Sequence, residues 1–313
     1  MGEKRIGVHV AEPDSRRVLE SIKAAEALGI SAAWMTTGGA GMDALTLFAA
    51  AAAQTLGTSI VPTFPRHPIA MVQQVQVFAQ LAPGRFRLGV GPSHRPTMVG
   101  SFGVDFRSPL GHLKEYVHIL RSLLHTGSVD FQGRYYTARA EIPGSVDVPV
   151  MASALRTASF EMCGEAADGA ISWVCPGVYL RDEALPAITR GASASDREAP
   201  PLIAHVPVCV HDDVDEVRAA MRGFGRYPQL PFYQQMFAAA GYPEAVQGAW
   251  SDGMIDGVAL YGSETQVGDK LMDLLNMGAG ELLVSPVAAG PDREASLDRT
   301  LRTVGDVSRS LSS

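Results

Sequence analysis

The feature that most constrains this chain is a repeated change of period. Short, nearly continuous apolar runs alternate with segments whose apolar residues recur every three or four positions, and the alternation persists from residue 5 to beyond residue 300. A run that is apolar at every position, and not at every second one, is a strand buried on both faces, as in a parallel sheet covered by helices. Such runs are 5–10 (RIGVHV), 31–35 (SAAWM), 56–61 (LGTSIV), 85–90 (RFRLGV), 147–153 (DVPVMAS), 169–174 (GAISWV), 202–210 (LIAHVPVCV) and 281–285 (ELLVS). Helical patterns lie between them. Asp14 precedes Val18, Ile22 and Ala25, with Gly29 as the stop, and Asp43 precedes a run of alanines that reaches about residue 54. Segment 109–124 carries Leu113, Val117, Leu120 and Leu124 on one face. Further helices are expected over 68–81, 157–167 and 264–277, after a cap at Asp212 or Asp213, and from near Asp292 to the end. Eight β-to-α units predict an α/β fold closed as a (β/α)8 TIM barrel, with an open doubly wound sheet as the rival. Segments 127–143, a hairpin with VDF and YYT flanking Gln132-Gly133, and 226–257, rich in Pro, Gly and aromatics, read as insertions. No linker or repeat divides the chain, so residues 1–313 read as a single domain.

Composition narrows the partners. Apolar residues make up 46% of the chain, enough for a large core, and the formal net charge of −7 draws neither nucleic acid nor an anionic membrane surface. No apolar run reaches the roughly 18 residues that a membrane span needs. The start, MGEKRIGVHV, has no signal-peptide core, so a soluble, cytoplasmic protein is expected. Cys163, Cys175 and Cys209 are widely spaced within apolar stretches, which suggests buried thiols and neither a zinc site nor a disulfide.

In such barrels the active site forms where strands end and the following loops begin. Reading those ends gives Ala11-Glu12, Thr36-Thr37, Pro62-Thr63, Gly91-Pro92-Ser93-His94-Arg95, Ser153-Ala154, Trp173-Val174-Cys175, His211-Asp212 and Ser285-Pro286. None of the four lysines (Lys4, Lys23, Lys114, Lys270) is among them, which argues against Schiff-base chemistry. The few carboxylates, Glu12 and the cap-like Asp212-Asp213, support neither a metal site nor a glycosidase pair. The mouth reads as small, hydroxylic and apolar with one histidine, which suits chemistry carried by an organic cofactor. His94 is the candidate catalytic residue, able to pass a proton near neutral pH; a loop histidine that only bonds backbone is the alternative. Trp173 forms either a wall for a planar ring or part of the core. The aromatics Tyr227, Phe232, Tyr233 and Phe237 either line the substrate pocket or pack the second insertion onto the barrel.

Several segments together resemble the F420-dependent oxidoreductase branch of the luciferase-like monooxygenase superfamily. They are GTSIVPTFPRHPIAMVQQ (57–74), APGRFRLGVGPSH (82–94), HLKEYVHILRSLL (112–124), DVPVMASALRTASFEMCGEAADGAI (147–171) and GSETQVGDKLMDLLNMGAGELLVSP (262–286). The resemblance implies a luciferase-like (β/α)8 barrel, a homodimer, and a tricyclic cofactor ring over the barrel mouth. It implies a non-proline cis peptide after the third strand, matched here by Ser59-Ile60. It sets Pro92, Ser93 and His94 beside the cofactor, and Ala152, Ser153 and Ala154 near its phosphate-bearing side chain. Thr36 and Thr37 stand where some relatives carry an Asp-His pair, and His94 where some carry a glutamate acid, so the proton donor departs from the family pattern. The implied activity is F420-dependent hydride transfer between the deazaflavin C5 and a C=C, C=N or C=O group, or the reverse. Two alternatives remain at this stage: an FMN-dependent monooxygenase, and a barrel that binds cofactor without catalysis.

Overall fold

The computed structural model describes residues 4–51 and 54–311. Ala52 and Ala53, where the second expected helix would end, lie outside the described residues.

The eight strands are β1 Arg5–His9, β2 Ala32–Met35, β3 Leu56–Thr58, β4 Phe86–Gly91, β5 Val150–Ser153, β6 Gly169–Trp173, β7 Leu202–Val210 and β8 Glu281–Pro286. They pair in parallel in the order β7-β8-β1-β2-β3-β4-β5-β6, and β6 pairs back onto β7, so the sheet closes. The third strand is not continuous as the sequence suggests. It breaks at Ser59 and Ile60, whose peptide is cis, and resumes as Val61–Pro62 against Val90 and Gly91 of β4.

The helices of the outer layer are α1 Ser15–Ala27, α2 Ala44–Ala50, α3 Pro68–Leu81, α4 Pro109–Arg121, α5 Thr157–Ala166, α6 Leu185–Ala194, α7 Glu264–Met277 and α8 Arg293–Leu311. The caps follow the sequence. Asp14, Asp43 and Asp213 each accept a backbone N–H from the first turn of the helix that follows, and Ser263 and Gln266 form a capping box on α7. The strands' outward residues, Ile6, Val8, Leu56, Leu88, Val90, Val150, Leu202 and Val284 among them, are buried beneath these helices. Each such side chain contributes about 1.5–3 kcal/mol relative to exposure.

The inward residues form a second, smaller core. Ala32, Trp34, Met151, Ile171, Ile203 and Leu283 fill the barrel, with Ile60 packed against them. Gly7 and Gly57 make room for Trp34: a Cβ at either would lie 2.5 Å from its indole. The indole N–H donates to Glu281 at 3.2 Å, Glu281 pairs with Arg87, and the Arg87 guanidinium lies 4.6 Å from the indole centre. Burial, followed by nearby Arg5, pushes Arg87 down to about 9, which still leaves it cationic at neutral pH.

The insertions differ in detail from the sequence reading. The hairpin strands are Ser128–Gln132 and Thr137–Glu141, so Tyr135 and Tyr136 belong to the turn and not to a strand. The helix capped by Asp213 is Val214–Arg222, and the second insertion holds helices Pro231–Ala239 and Asp252–Val258 before a short strand, Leu260–Gly262, that pairs with the upper half of β7.

Candidate active site at the barrel mouth

Alternation along each strand carries the inward face up to the mouth. From Gly7 it reaches His9 on β1, from Trp34 Thr36 beyond β2, from Met151 Ser153 on β5, from Ile171 Trp173 on β6, from Ile203 His205 on β7, and from Leu283 Ser285 on β8. The strand ends thus converge on one ring of hydroxyl, imidazole and aromatic groups.

Thr36, Ser59 and Ile60 meet on one side. The Thr36 hydroxyl donates a short hydrogen bond to the Ser59 carbonyl, and the Thr37 N–H donates to the Ile60 carbonyl at 3.2 Å. Thr37 turns its own hydroxyl outward, where it accepts the N–H of Ala44 at 3.1 Å at the start of α2. Ile60 and Ser153 both approach Gly91, where a Cβ would come within 2.2 Å of the Ser153 hydroxyl and 3.1 Å of the Ile60 side chain. Gly91 therefore lets the Ile60 bulge and the end of β5 close on one another. Beyond it Pro92 is half-buried, and Ser93 takes a left-handed φ of 60°, a conformation that non-glycine residues rarely adopt. That turn delivers His94 as the N-cap of helix Arg95–Phe102, with its ring 5.9 Å from Tyr227 and 5.8 Å from Tyr233. Burial holds the His94 imidazole below its usual range.

Ala152 and Ala154 do not join the ring. Their side chains are buried in the outer core, and the Cys163 thiol of α5 faces the Ala152 carbonyl. Only Ser153 of that trio turns inward. Trp173 is half-buried, 4.0 Å from the His205 ring, 5.7 Å from Phe224 and 5.6 Å from Tyr227. It is a wall of the mouth. The insertion aromatics divide: Tyr227 and Tyr233 face the site, Phe237 packs on Tyr242 and Trp250, and Phe232 is exposed. Past Phe224 a hollow of about 360 Å³ opens beside Pro286, Val287 and Arg293.

Two residues that the sequence reading passed over are central. His9 and His205 both point into the barrel, so the mouth holds three imidazoles and not one. The His9 Nε2 lies 3.2 Å from the Thr36 hydroxyl, the His205 Nε2 lies 2.8 Å from the Ser285 hydroxyl, and the two ring centres are 5.5 Å apart. Burial pushes His9 down to about 4 and His205 well below its usual range, His205 being lowered further by His9, so both are neutral at neutral pH. Glu12 and His211, taken from the sequence as strand ends, bind elsewhere: Glu12 accepts the Ser21 hydroxyl on α1, and His211 bonds the backbone of Asp213. Among the described residues no three His, Cys, Asp or Glu side chains converge as metal ligands.

A closed parallel barrel with a neutral, ring-lined site at its C-terminal mouth defines a class of barrels whose chemistry an organic cofactor can supply. Residues 2–281 match the family model of the luciferase-like monooxygenases, and the chain belongs to that family. It is 35% identical over 205 residues to an F420-dependent glucose-6-phosphate dehydrogenase of Beutenbergia cavernae, a match that spans 61% of each chain. Among solved structures it resembles an F420-dependent secondary alcohol dehydrogenase in complex with an F420-acetone adduct (TM-score 0.82, 17% identity, covering 98% of this chain and 99% of that one). It also resembles the coenzyme F420 dependent tetrahydromethanopterin reductase of Methanopyrus kandleri (TM-score 0.77, 20% identity, 99% of both chains).

Proposed function

We propose that this chain is an F420-dependent oxidoreductase that moves a hydride between the deazaflavin C5 and a small organic substrate, reducing a C=C, C=N or C=O bond or running the reverse. The names of its relatives support the cofactor. The observation that carries the reading is the Ser59 hydroxyl: it is buried at the Ile60 bulge with no hydrogen-bond partner among the described residues, at the edge of a mouth walled by Trp173. A buried hydroxyl without a partner is costly unless a ligand satisfies it, and a flat heterocycle with polar edges fits that need. When bound, the deazaflavin supplies hydride acceptance or donation at C5.

The chain's own residues supply the rest. Ser59 and Ile60 would back the ring, Thr36 and Thr37 hold that bulge, and Pro92, Ser93 and His94 would flank the ring from β4. Ser153 and the backbone of Ala152 and Ala154 lead to the N-terminus of α5, whose free N–H groups suit the phosphate of the cofactor's side chain, with Arg95 and Arg156 exposed nearby on the rim. Trp173 forms the facing wall. His94 exchanges a proton with the substrate from the rim. We read the described chain as one domain, since β1 and β8, the first and last strands, pair with each other. We further propose a homodimer, consistent with the exposed Val77 and Leu81 on α3. No described helix is long and apolar enough to cross a membrane, and all three cysteines are unpaired and buried; we infer a cytoplasmic protein.

Oxygen separates this reading from an FMN monooxygenase. Protein loaded with F420, reduced without air and then mixed with air-saturated buffer, is expected to stay reduced over the time in which a reduced flavin would reoxidise. Rapid reoxidation with release of peroxide, or with transfer of oxygen to a substrate, would contradict the reading.

A further inference from the structure

The floor of the mouth carries a polar arc across neighbouring strands. His205 of β7 meets Ser285 of β8, His205 faces His9 of β1, His9 meets Thr36 beyond β2, and Thr36 meets the Ser59 carbonyl beyond β3. Below it the barrel is filled by apolar side chains and the Arg87–Glu281 pair. A buried and a half-buried imidazole add nothing to such a core that leucines would not add at lower cost.

The hydrogen-bond network assigns a tautomer to His9. The Thr36 hydroxyl spends its proton on the Ser59 carbonyl, so its oxygen accepts from His9, and His9 carries its proton on Nε2. Nδ1 is then the lone-pair nitrogen. A hydroxyl anchored on a backbone carbonyl thus orients the imidazole much as a carboxylate does in a nucleophile-base-orienter triad. His9 is also the accessible member of the pair, half-buried where His205 is 5% exposed beneath Trp173.

We infer that His9 is a second acid-base centre of the site, exchanging a proton with the substrate heteroatom, and that Thr36 and the His205–Ser285 pair are its positioning residues. The inference rests on the F420-dependent reading above. In the oxidising direction the substrate O–H bond breaks and its proton passes to Nδ1 of His9. The electron pair left on oxygen would form the C=O bond as hydride leaves the carbon, for which bound, oxidised deazaflavin would be the acceptor. In the reducing direction every transfer reverses.

The test is nitrogen-15 NMR of the imidazoles in the full chain, first alone, then loaded with F420, then with trifluoroethanol, an acidic alcohol and poor hydride donor. The expected result is a neutral His9 protonated on Nε2 in the chain alone, a mixed tautomer in Thr36→Val, and a shift of the His9 Nδ1 resonance on adding trifluoroethanol. His9→Asn should retain F420 affinity within about threefold, read by fluorescence. A His9 protonated on Nδ1, or trifluoroethanol moving only His94 or no imidazole, would overturn the inference. Wild-type protein that fails to bind F420 would overturn the functional reading and this inference with it.

Discussion

At the scale of the residue, the buried histidines make the fold sensitive to acid. His9 falls from 6.5 to about 4 on folding because burial disfavours its charged form, and His112 does the same for the same reason, opposed by Glu115. A group whose folded value is depressed in this way is protonated first in the unfolded chain. Stability is therefore unaffected by these groups above about 6.5, falls as pH drops from there towards 4, and flattens once the folded imidazoles charge. Urea titrations across that window should show the loss, and His9→Gln should lessen its slope; an unchanged slope would mean that His9 titrates freely in the fold. His94 was legible in the sequence because it follows a strand and opens a loop. His9 is not, because the apolar run continues through Val10 and points to Ala11 as the start of the loop, two residues past the inward His9. His205 lies in the middle of a nine-residue strand whose residues are all buried, and the end of that apolar run points to His211 instead.

At the scale of the element, the hairpin is held by one carboxylate. Glu115 of α4 accepts the backbone N–H of Arg134 at 2.8 Å, of Tyr135 at 2.9 Å and of Tyr136 at 3.0 Å. The Tyr136 hydroxyl then meets the His112 Nε2 at 2.7 Å, and Phe64 stacks on the His112 ring at 3.8 Å, tying the hairpin to the loop after Val61–Pro62. Glu115→Ala removes the shared acceptor of three backbone donors and is expected to cost about 2–3 kcal/mol. Hydrogen exchange should rise at residues 134–136 while the barrel strands keep their protection; protection unchanged at the turn would show that the clamp carries no load. This capture also explains why Gln132-Gly133 is not the turn centre, a tertiary contact that local sequence does not encode. Helix α6 went unread for a related reason. It is entered through the π-helical turn Leu180–Ala184, and Pro186 and Gly191 blur its period. Gly191 is demanded by packing, since a Cβ there would lie 1.9 Å from the Glu161 carbonyl of α5.

At the scale of the whole molecule, the eightfold alternation predicts a parallel sheet covered by helices and favours closure, since eight strands close such a barrel; the pairing of β6 back onto β7 excludes the open doubly wound sheet. The interior was less legible: Arg87 and Glu281 sit within apolar runs and declare their pairing only once β4 and β8 face each other across the barrel. Glu281→Gln would leave the Arg87 charge buried without its counterion and is expected to cost about 3–5 kcal/mol in urea unfolding, whereas Arg87→Met with Glu281→Leu should cost far less. Equal losses in the two variants would mean that packing and not charge governs the site. What the mouth holds is tested most directly by a fluorescence titration of the purified chain with F420 and, separately, with FMN. Saturable F420 binding in the micromolar range with much weaker FMN binding is expected; tight FMN binding with none for F420 would contradict an F420-dependent site.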